Sequence, residues 1–216
     1  MDILEVMKSR HSVRQYTDKK IEHEKRAILN ELAKSCNSES GMNIQIIYDE
    51  PKCFDSFIAH YGKFSGCANY IAVVGKKSKD LDEKAGYYGE RLVLKAQELG
   101  LNTCWVAMTH GKSAAKVEKG EKLAIIISLG YGKNQGVAHK SRQLSDVCNQ
   151  TTEIPAWFAK GMEAVMLAPT AMNQQKFKFI LNEDHVKAVA TGGFYSKIDL
   201  GIVKYHFEAV SGHKVN

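Results

Sequence analysis

No apolar run in this sequence is long enough to cross a membrane. The most apolar, Leu123 to Leu129, has the length of a strand rather than of a membrane span, so no spanning helix is expected. The amino terminus sets Asp2, Glu5, Lys8 and Arg10 ahead of any long apolar stretch, which argues against a signal peptide. Cysteine is sparse and odd in number. Cys36, Cys53, Cys67, Cys104 and Cys148 include no Cys-x-x-Cys pair, which argues against a disulfide framework, a zinc ribbon or a thiol-exchange motif and predicts free thiols in the cytoplasm. The eight histidines form no His-x-x-x-His pair and none stands near a cysteine at zinc spacing, so no metal is expected. Asn149-Gln150-Thr151 has the form of a glycosylation acceptor, which matters only in a secreted chain. Charge is not gathered in blocks: the 30 basic residues are interleaved with 24 acidic ones, so the net charge of +6 forms no stripe suited to nucleic acid. The 216 residues, 44% apolar and 25% charged, can bury a substantial core in one large domain or two intimately packed halves.

Against that background, Arg10-His11-Ser12-Val13-Arg14 stands out. Two guanidiniums offer planar paired donors matched to phosphate oxygens, and Ser12 adds a neutral donor without crowding, so alternate positions can converge on one anion. Other candidate sites are weaker. Gly130-Tyr131-Gly132-Lys133-Asn134-Gln135-Gly136 follows a strand, but its last glycine comes one residue late for a dinucleotide loop and no clear helix follows. Gly111-Lys112-Ser113 has the ending of a phosphate loop, yet Val106 occupies the position of the required first glycine. Cys104 lies inside an apolar run with no evident base, which reads as a structural thiol.

Helical periodicity runs through Asp2 to Ser9, Glu22 to Cys36, Tyr87 to Leu99, Pro155 to Leu167 and Ile198 to Val210. Strands are predicted at Ile44 to Tyr48, Tyr70 to Val74, Thr103 to Met108, Leu123 to Leu129 and Phe177 to Leu181. This irregular order predicts an α+β fold. Two stretches echo one another. Met42-Asn43-Ile44-Gln45 shares the Met-Asn-x-Gln form with Met172-Asn173-Gln174-Gln175, and Gly89 and Gly100 stand at the same interval as Gly201 and Gly212. If the echo is a duplication, residues 1–150 form a first half carrying the clamp and residues 151–216 a shorter second half, together an intramolecular pseudo-dimer.

A second basic cluster, His139-Lys140-Ser141-Arg142, follows the best strand, and Ala168-Pro169-Thr170-Ala171-Met172-Asn173-Gln174-Gln175 closes a helix with a hydroxyl and three amides suited to a heteroaromatic edge. Arg-x-Ser-x-Arg, Gly100-Leu101-Asn102-Thr103-Cys104-Trp105, Gly130-Tyr131 with Lys140-x-Arg142, and Ala168-Pro169-Thr170 with Asn173 and Gln175 together resemble the FMN-dependent nitroreductase family over nearly the whole chain. The order of the motifs departs from the common pattern. The amide loop usually follows the first long helix, where this chain has Ser38-Glu39-Ser40-Gly41-Met42-Asn43; the chain is therefore most similar to the divergent, internally duplicated branch.

The resemblance implies a nitroreductase-like FMN-binding fold with one FMN per chain, as a monomeric pseudo-dimer or a homodimer. It assigns Arg10, Ser12, Lys140 and Arg142 to the FMN phosphate and His11 to the ribityl chain. Arg14 would lie at the N1 and O2 edge and tune the flavin toward its reduced form. Thr170 and Asn173 would contact the ring or its side chain, with Gln175 supporting their loop, and the backbone at Trp105, Val106 and Ala107 would face N5 and O4. Related chains often carry a glycine after the aromatic residue, where this one has Ala107-Met108. The implied activity is hydride transfer from NADH or NADPH through the flavin to a small-molecule acceptor such as a nitroaromatic or quinone, with no catalytic side chain required. The alternative is a protein that stores FMN or senses redox state without significant turnover.

Overall fold

The computed structural model describes residues 2–150 and 152–216; Met1 and Thr151, the latter completing the Asn149-Gln150-Thr151 motif, lie outside it. In chain order the elements are α1 (Ile3–Ser9), α2 (His23–Ser40), β1 (Asn43–Ile47), α3 (Phe57–Tyr61), β2 (Asn69–Lys76), α4 (Leu81–Glu98), β3 (Asn102–Val106), β4 (Glu121–Gly130), α5 (Leu144–Val147), α6 (Ala156–Val165), β5 (Phe177–Asn182), β6 (His185–Ala190) and α7 (Ser196–Ser211). Short 3-10 turns occupy Pro51–Cys53 and Ala171–Asn173. Helices and antiparallel strands mix without βαβ alternation, an α+β fold.

The chain forms two compact units. One comprises Arg10–Leu81 and Arg91–Val137, the other, among the described residues, 2–9, Asp82–Glu90, 138–150 and 152–216. The first is built on a four-stranded sheet of order β1-β2-β4-β3, every neighbouring pair antiparallel. β2 is buried from Asn69 to Gly75, as a strand covered on both faces must be. Side chains alternate across it. Tyr70, Ala72 and Val74 join Phe54, Phe64, Val106 and Ile126 in one core, leaving Ile71 and Val73 to the opposite face. In α2 the buried residues Leu29, Ala33 and Cys36 recur at helical spacing, and Gly41 ends the helix in the left-handed conformation with its N–H on the Asn37 carbonyl. The Asn37 side chain also serves the edge strand, donating to the Ile44 carbonyl at 2.9 Å and accepting from its N–H at 2.7 Å.

The second unit is organised around α7. A Cβ at Gly201 would stand 1.9 Å from the Glu83 carbonyl oxygen of α4, and one at Gly86 would stand 2.0 Å from the Ile198 carbonyl oxygen, so paired glycines let the two backbones touch. At the other side of α7, Gly161 of α6 admits the Phe207 ring, which also lies 5.3 Å from Phe179 of β5 between centroids. His206 is fully buried and bonds the Ala164 carbonyl and Glu90 Oε1, both at 2.9 Å. The β5-β6 hairpin is flanked on both edges: Asn149 bonds the backbone at Phe179 and Leu181, and Asn216 bonds that at Val186 and Ala188.

Candidate functional site

In the sheet unit the structure sets the Arg10-His11-Ser12-Val13-Arg14 segment against the start of β3 at Thr103, the strand that runs on to Trp105 and Val106 and is followed by Ala107. After Arg10 the backbone runs parallel to β3, with Ser12 opposite Thr103 and the Val13 N–H donating to the Thr103 carbonyl at 3.0 Å. The segment is fixed from beneath by Tyr16, which is fully buried. Its hydroxyl donates to the Val13 carbonyl at 2.7 Å and shares a hydrogen bond of 2.7 Å with the Ser128 hydroxyl. Sequence reasoning missed this residue; its signal was a polar aromatic two positions past the clamp.

Arg10 is 3% exposed, whereas Arg14 is exposed, with its guanidinium carbon 6.0 Å from the centre of the Phe64 ring. Burial and the adjacent Arg10 charge push the His11 imidazole below its ordinary value, which keeps it neutral near pH 7. Burial pushes the Cys104 thiol up, while Arg14, the Ser12 hydroxyl and Arg10 act in the other direction. Cys104 is therefore a protonated, buried thiol beneath the clamp. All five cysteines are free and buried.

The glycine-rich stretch set aside as a dinucleotide loop closes on the clamp's backbone. Thr17 N–H donates to the Tyr131 carbonyl at 2.8 Å, Lys133 N–H donates to the Gln15 carbonyl at 2.9 Å, and the Asn102 side chain holds Gly132 N–H at 2.9 Å and Gln135 Oε1 at 3.0 Å. Gly136 has φ +71°, and a Cβ there would lie 2.8 Å from His11 Cβ and 2.9 Å from the Ser12 carbonyl oxygen. These glycines are explained by close approach to residues 11–16. β3 ends at Val106, so Ala107 and Met108 leave the strand that the sequence carried on to Met108.

In the other unit the structure brings Lys140 and Arg142 together with Thr170, Asn173 and Gln175. Gln175 is buried, and its side chain serves the protein: Oε1 accepts from the Arg142 N–H at 2.9 Å, and Nε2 donates to the Lys140 carbonyl and to Asn173 Oδ1, each at 2.9 Å. Asn173 Nδ2 donates to the same Lys140 carbonyl at 2.9 Å, and Thr170 Oγ1 accepts from the Gln175 N–H at 3.0 Å. The Lys140 and Arg142 side chains are left exposed while their backbones are anchored. Met172, Asn173 and Gln175 all have positive φ, at 51°, 53° and 47°, an uncommon conformation for residues other than glycine. The side chain of Asp199, which sequence reasoning also missed, bonds this loop at Ala171 and Gln174.

The buried Arg10 guanidinium and the Ser12 hydroxyl, on a backbone that Gly136 approaches closely, form a donor set that suits a phosphate, and the anchored amide loop suits a ring with mixed donor and acceptor edges. A family model described as putative TM nitroreductase matches residues 2–211. Among solved structures, a putative nitroreductase from Thermotoga maritima is similar with a TM-score of 0.72 and 23% identity, covering 97% of this chain and 83% of its own. A putative nitroreductase in complex with FMN from Desulfovibrio desulfuricans has a TM-score of 0.55 and 19% identity over 72% of this chain and 98% of its own. For a putative NADH oxidase from Clostridium acetobutylicum the values are 0.51 and 17%, over 69% and 99%. At these identities the structural likeness shows the fold. No curated protein matches the chain. Among the described residues, no helix is long and apolar enough to cross a membrane.

Proposed function

The chain belongs to the putative TM nitroreductase family, and from that premise we propose that it is an FMN-dependent oxidoreductase that takes a hydride from NADH or NADPH and reduces a nitroaromatic, a quinone or a similar small acceptor in the cytoplasm. The observation that carries the reading is the buried Arg10 guanidinium beside Ser12, on a backbone fixed against β3. A guanidinium held out of water gains most from a doubly charged phosphate. When bound, FMN supplies the two-electron chemistry, accepting hydride from the nicotinamide and passing it to the acceptor.

The chain's own residues bind and orient. Arg10 and Ser12, with Lys140 and Arg142, hold the phosphate, and neutral His11 stands by the ribityl chain. Arg14 sets its charge where negative charge gathers on reduction, which favours the reduced cofactor. The backbone at Trp105, Val106 and Ala107 meets the ring edge, and Thr170 and Asn173 contact the cofactor from the loop that Gln175 anchors. We further propose that one chain supplies all of these residues, the echo between its stretches recording a duplication. The test is selectivity on desalting. FMN is expected to stay with the purified protein, whereas riboflavin, which lacks the phosphate, is lost. Equal loss of both would overturn the assignment.

A further inference from the structure

Asp199 stands in the first turn of α7, between Ile198 and Leu200, and only 2% of it is exposed. Both carboxylate oxygens are used. Oδ1 accepts from the Ala171 N–H at 2.9 Å, and Oδ2 accepts from Gln174 Nε2 at 2.7 Å. The same Gln174 nitrogen donates to the Phe194 carbonyl at 2.7 Å. Because both groups facing the Gln174 amide are acceptors, its orientation is fixed chemically. One carboxylate thus ties the start of α7, the 170–175 loop and the Gly192-Gly193-Phe194 turn. Gly193 suits that turn because its φ is +94°, a conformation that side-chain-bearing residues rarely adopt.

Resting on the FMN reading above, we propose that Asp199 is a positioning residue for the flavin-contacting loop: its carboxylate anchors Ala171 and Gln174 on either side of the left-handed Met172 and Asn173, and so holds the loop in the form that presents Thr170 and Asn173 to the cofactor. Two observations point this way. The loop carries three non-glycine residues at positive φ, a conformation that persists only where surrounding bonds enforce it. The carboxylate is also a poor choice for stability alone. Burial pushes its pKa up to about 6 against the pull of Gln174 and the Ala171 N–H, so the charge is held at a cost. An asparagine fits the same space without that cost. It cannot replace the carboxylate, because its amide would meet the Gln174 amide donor to donor. Gln174 would have to turn over, and the Phe194 carbonyl would lose its donor.

The test uses the full chain with Asp199→Asn, Gln174→Met and the double variant, following FMN affinity by flavin fluorescence and the circular dichroism of the bound flavin. Hydrogen exchange at the Ala171 amide is measured on the protein without FMN. Each single variant is expected to weaken FMN binding about tenfold or more and alter the flavin dichroism, and the double variant to be no worse than the weaker single one. Ala171 should exchange faster in Asp199→Asn. Wild-type protein that fails to hold FMN would remove the functional reading and this proposal with it. Wild-type protein that holds FMN while the variants match it in affinity and dichroism would overturn the proposal alone, even if they melt earlier. Gln174 is half-buried, so Gln174→Met reports on the network if Asp199→Asn folds poorly.

Discussion

Replacing Tyr16 by phenylalanine removes a hydroxyl that donates to the Val13 carbonyl at 2.7 Å in a fully buried place. It leaves that carbonyl, in the middle of the clamp, without its donor, so we expect a loss of about 1–3 kcal/mol on urea unfolding together with weaker FMN binding. Unchanged stability would mean that Tyr16 does not fix the segment. At Arg10, the conservative change to lysine keeps the charge and loses the paired donors; FMN affinity is expected to fall by roughly ten- to a hundredfold in fluorescence titration. For Asp199 the sign of the pH effect follows from its raised value. The folded state, titrating at about 6 against an ordinary 3.8, holds the proton more tightly than the unfolded chain. The group's contribution is therefore full at low pH and lost as pH rises to about 6. Asp199→Asn should gain stability relative to wild type between those limits, by up to roughly 3 kcal/mol, in unfolding curves at pH 4 and 7.5. A constant difference would contradict the shift. Arg10, Ser12 and Arg14 were legible because their pattern is local. Tyr16 and Asp199 were not, although a carboxylate between Ile198 and Leu200 on a helix's apolar stretch is a signal that could have been used.

At the scale of elements, the sequence pattern located α1, α2, α4, α6, α7 and the first five strands to within a few residues, except that it began α4 six residues late, at Tyr87 rather than Leu81; the helices carry a periodic apolar stripe, and inner strands such as β2 show as short continuous apolar runs because both faces are covered. β6 was missed for a definite reason. Its hairpin turns at Glu183-Asp184, where Glu183 takes φ 54° without the glycine or asparagine that usually announces such a turn. α3 and α5 are too short to show a period, at 5 and 4 residues. The contact between α4 and α7 makes a sharp prediction. Gly201→Ala would place a methyl 1.9 Å from the Glu83 carbonyl oxygen, which neither backbone can relieve without the helices separating. We expect a loss of about 3 kcal/mol or more in thermal or urea unfolding. A change below about 1 kcal/mol would show that the helices do not approach so closely.

For the whole molecule, the α+β class and the family were legible, because four short motifs together carry more than any one of them, even though their order departs from the common pattern. The pairing of Lys140 and Arg142 with Thr170, Asn173 and Gln175 rests on hydrogen bonds between two loops some thirty residues apart, such as Arg142 N–H to Gln175 Oε1 with a separation of 33. Loop-to-loop bonding has no periodicity to read, so only the resemblance grouped these residues. The central claim is that this site holds FMN for turnover by a nicotinamide. The measurement that tests it most directly is the visible spectrum of the FMN-loaded protein under anaerobic addition of NADH and, separately, NADPH. Bleaching of the flavin absorbance by at least one of them, reversed by a quinone or nitroaromatic, is the expected result. Bound flavin that stays yellow with both would contradict it and identify a protein that holds FMN without turning it over.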